Sequence, residues 1–154
     1  MEVRDLLERY ASGERDFKEI TLSQSNLENI DLRKANLTGA NLAGANLKAA
    51  NLSYCSLSEA NLSGANLEGA ILLEATLNGA NLNGANLKAT NLNGANLFEA
   101  NLAEADLSES NLKMADLKMA DLSGATLEKA DIWGAYFTGA RLDGAVLPEV
   151  MEPS

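Results

Sequence analysis

From Phe17 onward every fifth residue is large and apolar: leucine at each step from Leu22 to Leu127, then Ile132, Phe137, Leu142 and Leu147, making 27 units without insertion or gap. Two residues ahead of each centre a small residue recurs, and from position 35 to 145 it is Ala in 20 of 23 cases, the exceptions being Cys55, Thr90 and Ser110. The residue between them is Asn or Asp in 19 of the 27 units. A period of five fits no helix, because five steps of about 100° turn such a stripe by about 140° per unit and no single face buries it. It fits a short extended segment followed by a turn. Residues two apart on an extended segment point to the same side, so Ala and Leu face inward and the Asn between them outward. The two remaining residues must turn a corner. Glycine marks that corner: 11 of the 12 Gly lie two places after a centre, where a turn residue with positive φ is expected.

The unit A(D/N)LXX, repeated in phase over residues 16–147, resembles the pentapeptide repeat proteins, and the run from Tyr10 to Phe17 resembles compact cyanobacterial members of that family. The resemblance implies an all-β solenoid, a right-handed quadrilateral β-helix with four repeats per coil. At 20 residues per coil the array makes nearly seven coils, which at roughly 4.8 Å each form a rod of roughly 32 Å. No coil buries its own ring of leucines, so both ends need covers. Val3, Leu6, Leu7 and Tyr10 fall at i, i+3, i+4 and i+7, which predicts a helix over Glu2 to Ala11, ended by Gly13 and lying across the first coil. At the other end Pro148 stops the repeat, and Val150 and Met151 are placed to cover part of the last coil. The expected organisation is a capping helix and linker in residues 1–15, the β-helix in 16–147 and a tail in 148–154.

Composition narrows the chemistry. In 154 residues, enough for one domain, there are 12 Lys+Arg against 22 Asp+Glu, a net charge of −10, which disfavours direct nucleic-acid binding. The chain has no His, which removes imidazole acid–base catalysis and imidazole metal sites. Cys55 is the only Cys, so no internal disulfide forms; at an inward, Ala-like position it reads as a buried small residue. The Asn/Asp columns invite a calcium site, but 13 of the 19 are neutral Asn, weak ligands for a divalent cation, and a structural ladder of side-chain hydrogen bonds is the expectation. A convex rod with short turns offers no cleft for catalysis, so neither an enzyme, a metal nor a cofactor is expected. No run approaches the roughly 18 apolar residues of a membrane span, and a cytoplasmic protein is expected.

Positions twenty apart should stack. Glu28, Lys48, Glu68 and Lys88 then form one outward column of alternating sign, read as charge balance, and Thr90 stacks on Ser110, with hydroxyls free to bond each other or a carbonyl. Outward positions should be polar, so their apolar exceptions carry information. Tyr54, Ile71 and Leu73 lie in the first half; Phe98, Met114, Met119, Trp133 and Tyr136 lie in the second and form the candidate interaction patch. Two functions remain. One is a rigid interaction or structural module with an unidentified protein partner or self-association through its C-terminal end. The other is implied by the resemblance: some pentapeptide repeat proteins mimic duplex DNA and bind type II topoisomerases such as gyrase. Residues 16–147 carry 16 acids and 9 bases, about a third of the charge density of duplex DNA, which has about one charge per 1.7 Å.

Overall fold

Parallel bridges join each unit to the one twenty residues further on, at every fifth position from Asp16–Asn36 to Thr126–Val146. The computed structural model, which describes residues 1–149, is therefore a right-handed quadrilateral β-helix with four units per coil. Each side of a coil contributes one bridged residue between two turns. The four faces are numbered here by the first coil's centres: Phe17, Leu22, Leu27 and Leu32, each followed by the residues twenty further on.

The hydrogen bonds of one unit explain its composition. In Asn61-Leu62-Ser63-Gly64-Ala65, the Asn61 N–H donates back to Ala40 O (2.9 Å), while those of Leu62 and Gly64 donate forward to Asn81 O (2.7 Å) and Asn83 O (2.9 Å). Ala65 N–H closes the turn onto Leu62 O (3.1 Å). Ser63 N–H would be left over, and Asn61 Oδ1 accepts it at 3.0 Å. Asn or Asp at this place thus satisfies the last backbone N–H of the unit, as a buried or half-buried strand requires. The expected ladder between coils is corrected accordingly: these side chains mostly close their own turn, and Asn46 Nδ2 to Asn26 Oδ1 (3.3 Å) is a rare rung between coils. Val146 replaces Asn where the residue two places on is Pro148, which has no N–H to satisfy.

Every turn from position 19 to position 144 has positive φ at the second residue after the centre, with glycine or without it. Together with the hydrogen bond from the following inward residue back to the centre, this matches a type II turn. Glu, Gln, Asn, Lys, Met, Tyr and Ala accept the strain, as at Glu59 (φ 59°) and Met119 (φ 62°). Those stacked below a glycine, such as Glu59 and Met119, lean over the next coil. A Cβ at Gly134 or Gly139 would land on the sulfur of Met114 or Met119.

The interior is a stack of leucine and alanine rings, with Leu37 to Leu127 no more than 1% exposed. Cys55 shares it, its Sγ–H donating to Leu32 O (2.9 Å); burial pushes the thiol up to about 12. Thr90 and Ser110 are equally buried but do not bond each other. Thr90 Oγ1 donates to Leu87 O (2.7 Å), whereas Ser110 Oγ has no partner. Since 20 of the 23 units from position 35 to 145 have Ala at this position, Ser110→Ala is expected to raise stability by about 1–2 kcal/mol in urea unfolding, by removing an unsatisfied buried hydroxyl. A loss of stability would show that the hydroxyl has a partner after all.

Helix α1 spans Val3–Ala11. Leu6 is fully buried against the coils and Val3 and Tyr10 partly so, but Leu7 is 46% exposed. It lies at the rim of the apolar stripe, and so short a helix covers a coil only along the line of Val3, Leu6 and Tyr10. Gly13 (φ 103°) ends the helix, with Gly13 N–H on Tyr10 O and Glu14 N–H on Arg9 O. The cap also takes up open carbonyls of the first coil: the Met1 amino group donates to Thr21 O (3.2 Å) and the Tyr10 hydroxyl to Arg33 O (2.8 Å). At the opposite end Ile132, Phe137 and Leu142 are only partly buried and Leu147 is 51% exposed. Val150 and Met151, expected to cover that end, lie outside the described residues.

Candidate interaction surface

All five patch residues are exposed, from 37% at Phe98 to 72% at Trp133. Outward placement follows from their phase in the unit, since each is neither a centre nor the small residue before one. Met114 and Trp133 occupy the corner that leads from the fourth face to the first and are joined through Met114 N–H to Trp133 O (3.0 Å). Tyr136, three residues on, stands in the middle of the first face, bonded by Tyr136 N–H to Ala115 O (3.0 Å). Phe98 and Met119 sit in successive coils at the corner beyond it, tied by Glu99 N–H to Lys118 O (3.1 Å). The backbone thus brings the five to one side of the rod near its C-terminal end. Lys118 Nζ lies 5.8 Å from the centre of the Tyr136 ring and 3.7 Å from Asp116, adding a cation between the apolar groups. The two methionines are the most local of the five, since their sulfurs cover glycines of the next coil.

The apolar residues of the first half fall on the fourth face as well: Tyr54 is 50% and Ile71 38% exposed, and Leu73 is half-buried beside them. The second face carries none. The alternating column Glu28, Lys48, Glu68, Lys88 forms no ion pair among the described residues. The charge pairs run instead within a unit, as in Arg33–Asp31 (2.8 Å) and Lys118–Asp116, or to the next coil, as in Lys113–Asp131 (3.6 Å). The Arg33 hydrogen bond is the main cause that holds the Asp31 carboxyl below its usual range. At Asp121 the Ser123 hydroxyl does the same.

One feature escaped the pattern of the repeat. Tyr10, Arg15, Arg33 and Lys34 line a notch of about 280 Å³ where α1 meets the first coil. The available signal was the crowding of bases early in the chain, since Arg4, Arg9, Arg15, Lys18, Arg33 and Lys34 are half of the 12. Among the described residues, no group of acidic or Cys side chains is placed to hold a metal ion, and no helix is long and apolar enough to cross a membrane.

The family described as Pentapeptide repeats matches the chain in eight copies over residues 16–53, 55–94, 90–128 and 120–150. Among solved structures, a pentapeptide repeat protein from Nostoc is 40% identical over 68% of this chain and 79% of its own, with a TM-score of 0.44. One from the thylakoid lumen of Arabidopsis thaliana is 28% identical over 58% of this chain, with a TM-score of 0.41. The match spans only 59% of that relative's length. QnrB1, a plasmid-mediated fluoroquinolone resistance protein, is 17% identical over 84% of this chain and 73% of its own, with a TM-score of 0.45. No curated protein sequence matches the chain.

Proposed function

This chain belongs to the pentapeptide repeat family, and from that premise we propose that it is a rigid, non-enzymatic interaction module that engages a protein partner or a second copy of itself near its C-terminal end. The observation that carries this reading is the set of exposed apolar side chains at Phe98, Met114, Met119, Trp133 and Tyr136. The repeat needs no apolar residue at any of these positions. Their burial in a complex would be favourable at about 25 cal/mol per Å², before the costs of association. Partly buried Ile132 and Phe137 are the chain neighbours of Trp133 and Tyr136, so one interface can cover both the side and the end.

Sedimentation equilibrium of the wild type beside a Phe98→Ser, Trp133→Ser variant tests the proposal, together with a pull-down of partners by each. Weaker association or a lost partner is expected in the variant. Unchanged association and an unchanged partner set would leave these side chains as local packing over the coils. Trp133 is the only Trp, and its fluorescence reports on the surface without a label.

A second reading rests on the acids. Between Ala49 and Leu112 seven Asp and Glu face Lys88 alone, which fits a partial mimic of duplex DNA acting on a type II topoisomerase such as gyrase. Inhibition or protection of gyrase supercoiling by the purified protein would favour that reading, and no effect would remove it.

A further inference from the structure

We propose that the N-terminal part of the fourth face is a docking site for an extended acidic segment of a partner protein. Its carboxylates seat in the notch between Tyr10, Arg15, Arg33 and Lys34, and its apolar side chains lie along Tyr54, Ile71 and Leu73. This site is separate from the C-terminal surface and does not depend on it.

Charge complementarity selects the occupant. On a chain of net charge −10, the notch is lined by three cations and a phenol and by no acid. Much of its donor capacity is unused. Arg33 gives Nε and one terminal nitrogen to Asp31, which leaves the other terminal nitrogen. Arg15 uses Nη1 for Tyr10 O and Glu14 O and has its remaining N–H groups free. Lys34 makes no ion pair among the described residues. The notch is also preorganised. The Arg15 guanidinium lies 3.6 Å from the centre of the Tyr10 ring, and the Tyr10 hydroxyl is anchored on Arg33 O (2.8 Å). A guanidinium held in place is suited to paired hydrogen bonds with a carboxylate.

The apolar half of the site continues directly from the basic half. Lys34 N–H donates to Ser53 O (3.0 Å), and Tyr54 N–H to Leu73 O (2.9 Å), so Arg33–Lys34, Ser53–Tyr54 and Leu73–Glu74 occupy successive coils at one corner. Ile71 sits on the adjoining face, accepting from Leu52 N–H (2.7 Å). From the notch to Leu73 is two coil steps, roughly 10 Å, which about three extended residues span. A nucleic acid fits less well: so few cations neutralise few phosphates, and the acidic remainder of the rod repels a long polyanion.

The test is fluorescence anisotropy with a short labelled peptide alternating Glu and Leu, against a matched peptide alternating Lys and Leu and against labelled duplex DNA. Lys34→Glu and Tyr54→Glu are the variants, because Glu already occupies the same positive-φ turn position at Glu59 and Glu74, so the fold accommodates both. The Glu peptide is expected to bind in preference to the Lys peptide, more weakly as salt rises, and about tenfold more weakly to Lys34→Glu. Tyr54→Glu should weaken it too, and the Phe98→Ser, Trp133→Ser variant should bind like the wild type. No preference for the Glu peptide, binding unchanged by Lys34→Glu, binding lost in the C-terminal variant, or tighter binding of DNA would each overturn the proposal.

Discussion

Replacing Leu87 by Ala is expected to lower the free energy of unfolding by about 2–5 kcal/mol, while Lys88→Ser beside it changes stability by only about 0.5 kcal/mol. Leu87 is 1% exposed and sits between the leucines twenty residues before and after it. Deleting its side chain opens a void that the backbone bonds to both neighbouring coils keep from collapsing. Leu67 N–H is fixed on Asn86 O and Leu87 N–H on Asp106 O, both at 2.7 Å. Ala85→Leu should also destabilise, because the small inward position is as closed as the large one and added carbons must displace the rings above and below. Denaturant unfolding of the three variants measures this contrast. Equal losses at positions 85, 87 and 88 would contradict the division of the unit into inward and outward sides.

Removal of residues 1–12 is expected to make the chain associate end to end. In the intact protein Phe17, Leu22, Leu27 and Leu32 are at most 2% exposed, and without α1 they lose their cover. The change also frees the carbonyls of Thr21 and Arg33, which Met1 and Tyr10 otherwise occupy. Those carbonyls match the other end of the rod. Throughout the stack each centre's N–H points toward the following coil, as Leu122 N–H does to Arg141 O, so Phe137 and Leu142 present donors at the C-terminal edge of the described coils. An uncovered first coil and that edge are complementary, and unpaired sheet edges recruit further chains. Sedimentation velocity should show concentration-dependent oligomers of the truncated protein. A truncated chain as monomeric as the full one would mean that α1 is not a cap.

The coil architecture was legible because each unit meets only its neighbours along the chain and the units twenty residues away. A local pattern of Ala, Asn, Leu and Gly therefore decides the fold. The parts that were not legible depend on geometry that no repeat encodes. Whether an Asn oxygen turns to its own N–H or to the next coil depends on which backbone donor is left over, and this follows only once every bridge is in place. Leu7 belongs to the helix stripe by spacing, yet it stays 46% exposed at the stripe's rim while Leu6, Val3 and Tyr10 take up the contact with the first coil. The notch joins Tyr10 to Arg33 across that same junction, so neither residue signals it alone. The five C-terminal patch residues could be named from their phase. Their grouping on neighbouring corners and one face follows from the number of units per coil.

The bridge spacing also makes the rod a counting device. Because each coil meets its neighbours through the same set of backbone bonds, loss of residues 77–96, one full turn, would shorten the molecule by roughly 4.8 Å and leave every later side chain on its face. Loss of a single unit between Phe98 and Trp133 would instead rotate all that follows by a quarter turn, carrying Trp133 and Tyr136 away from Phe98 although no contact in the core need be lost. Length and azimuth are thus separate variables in this molecule, and genetic change reaches one or the other according to whether it arrives in steps of twenty or of five.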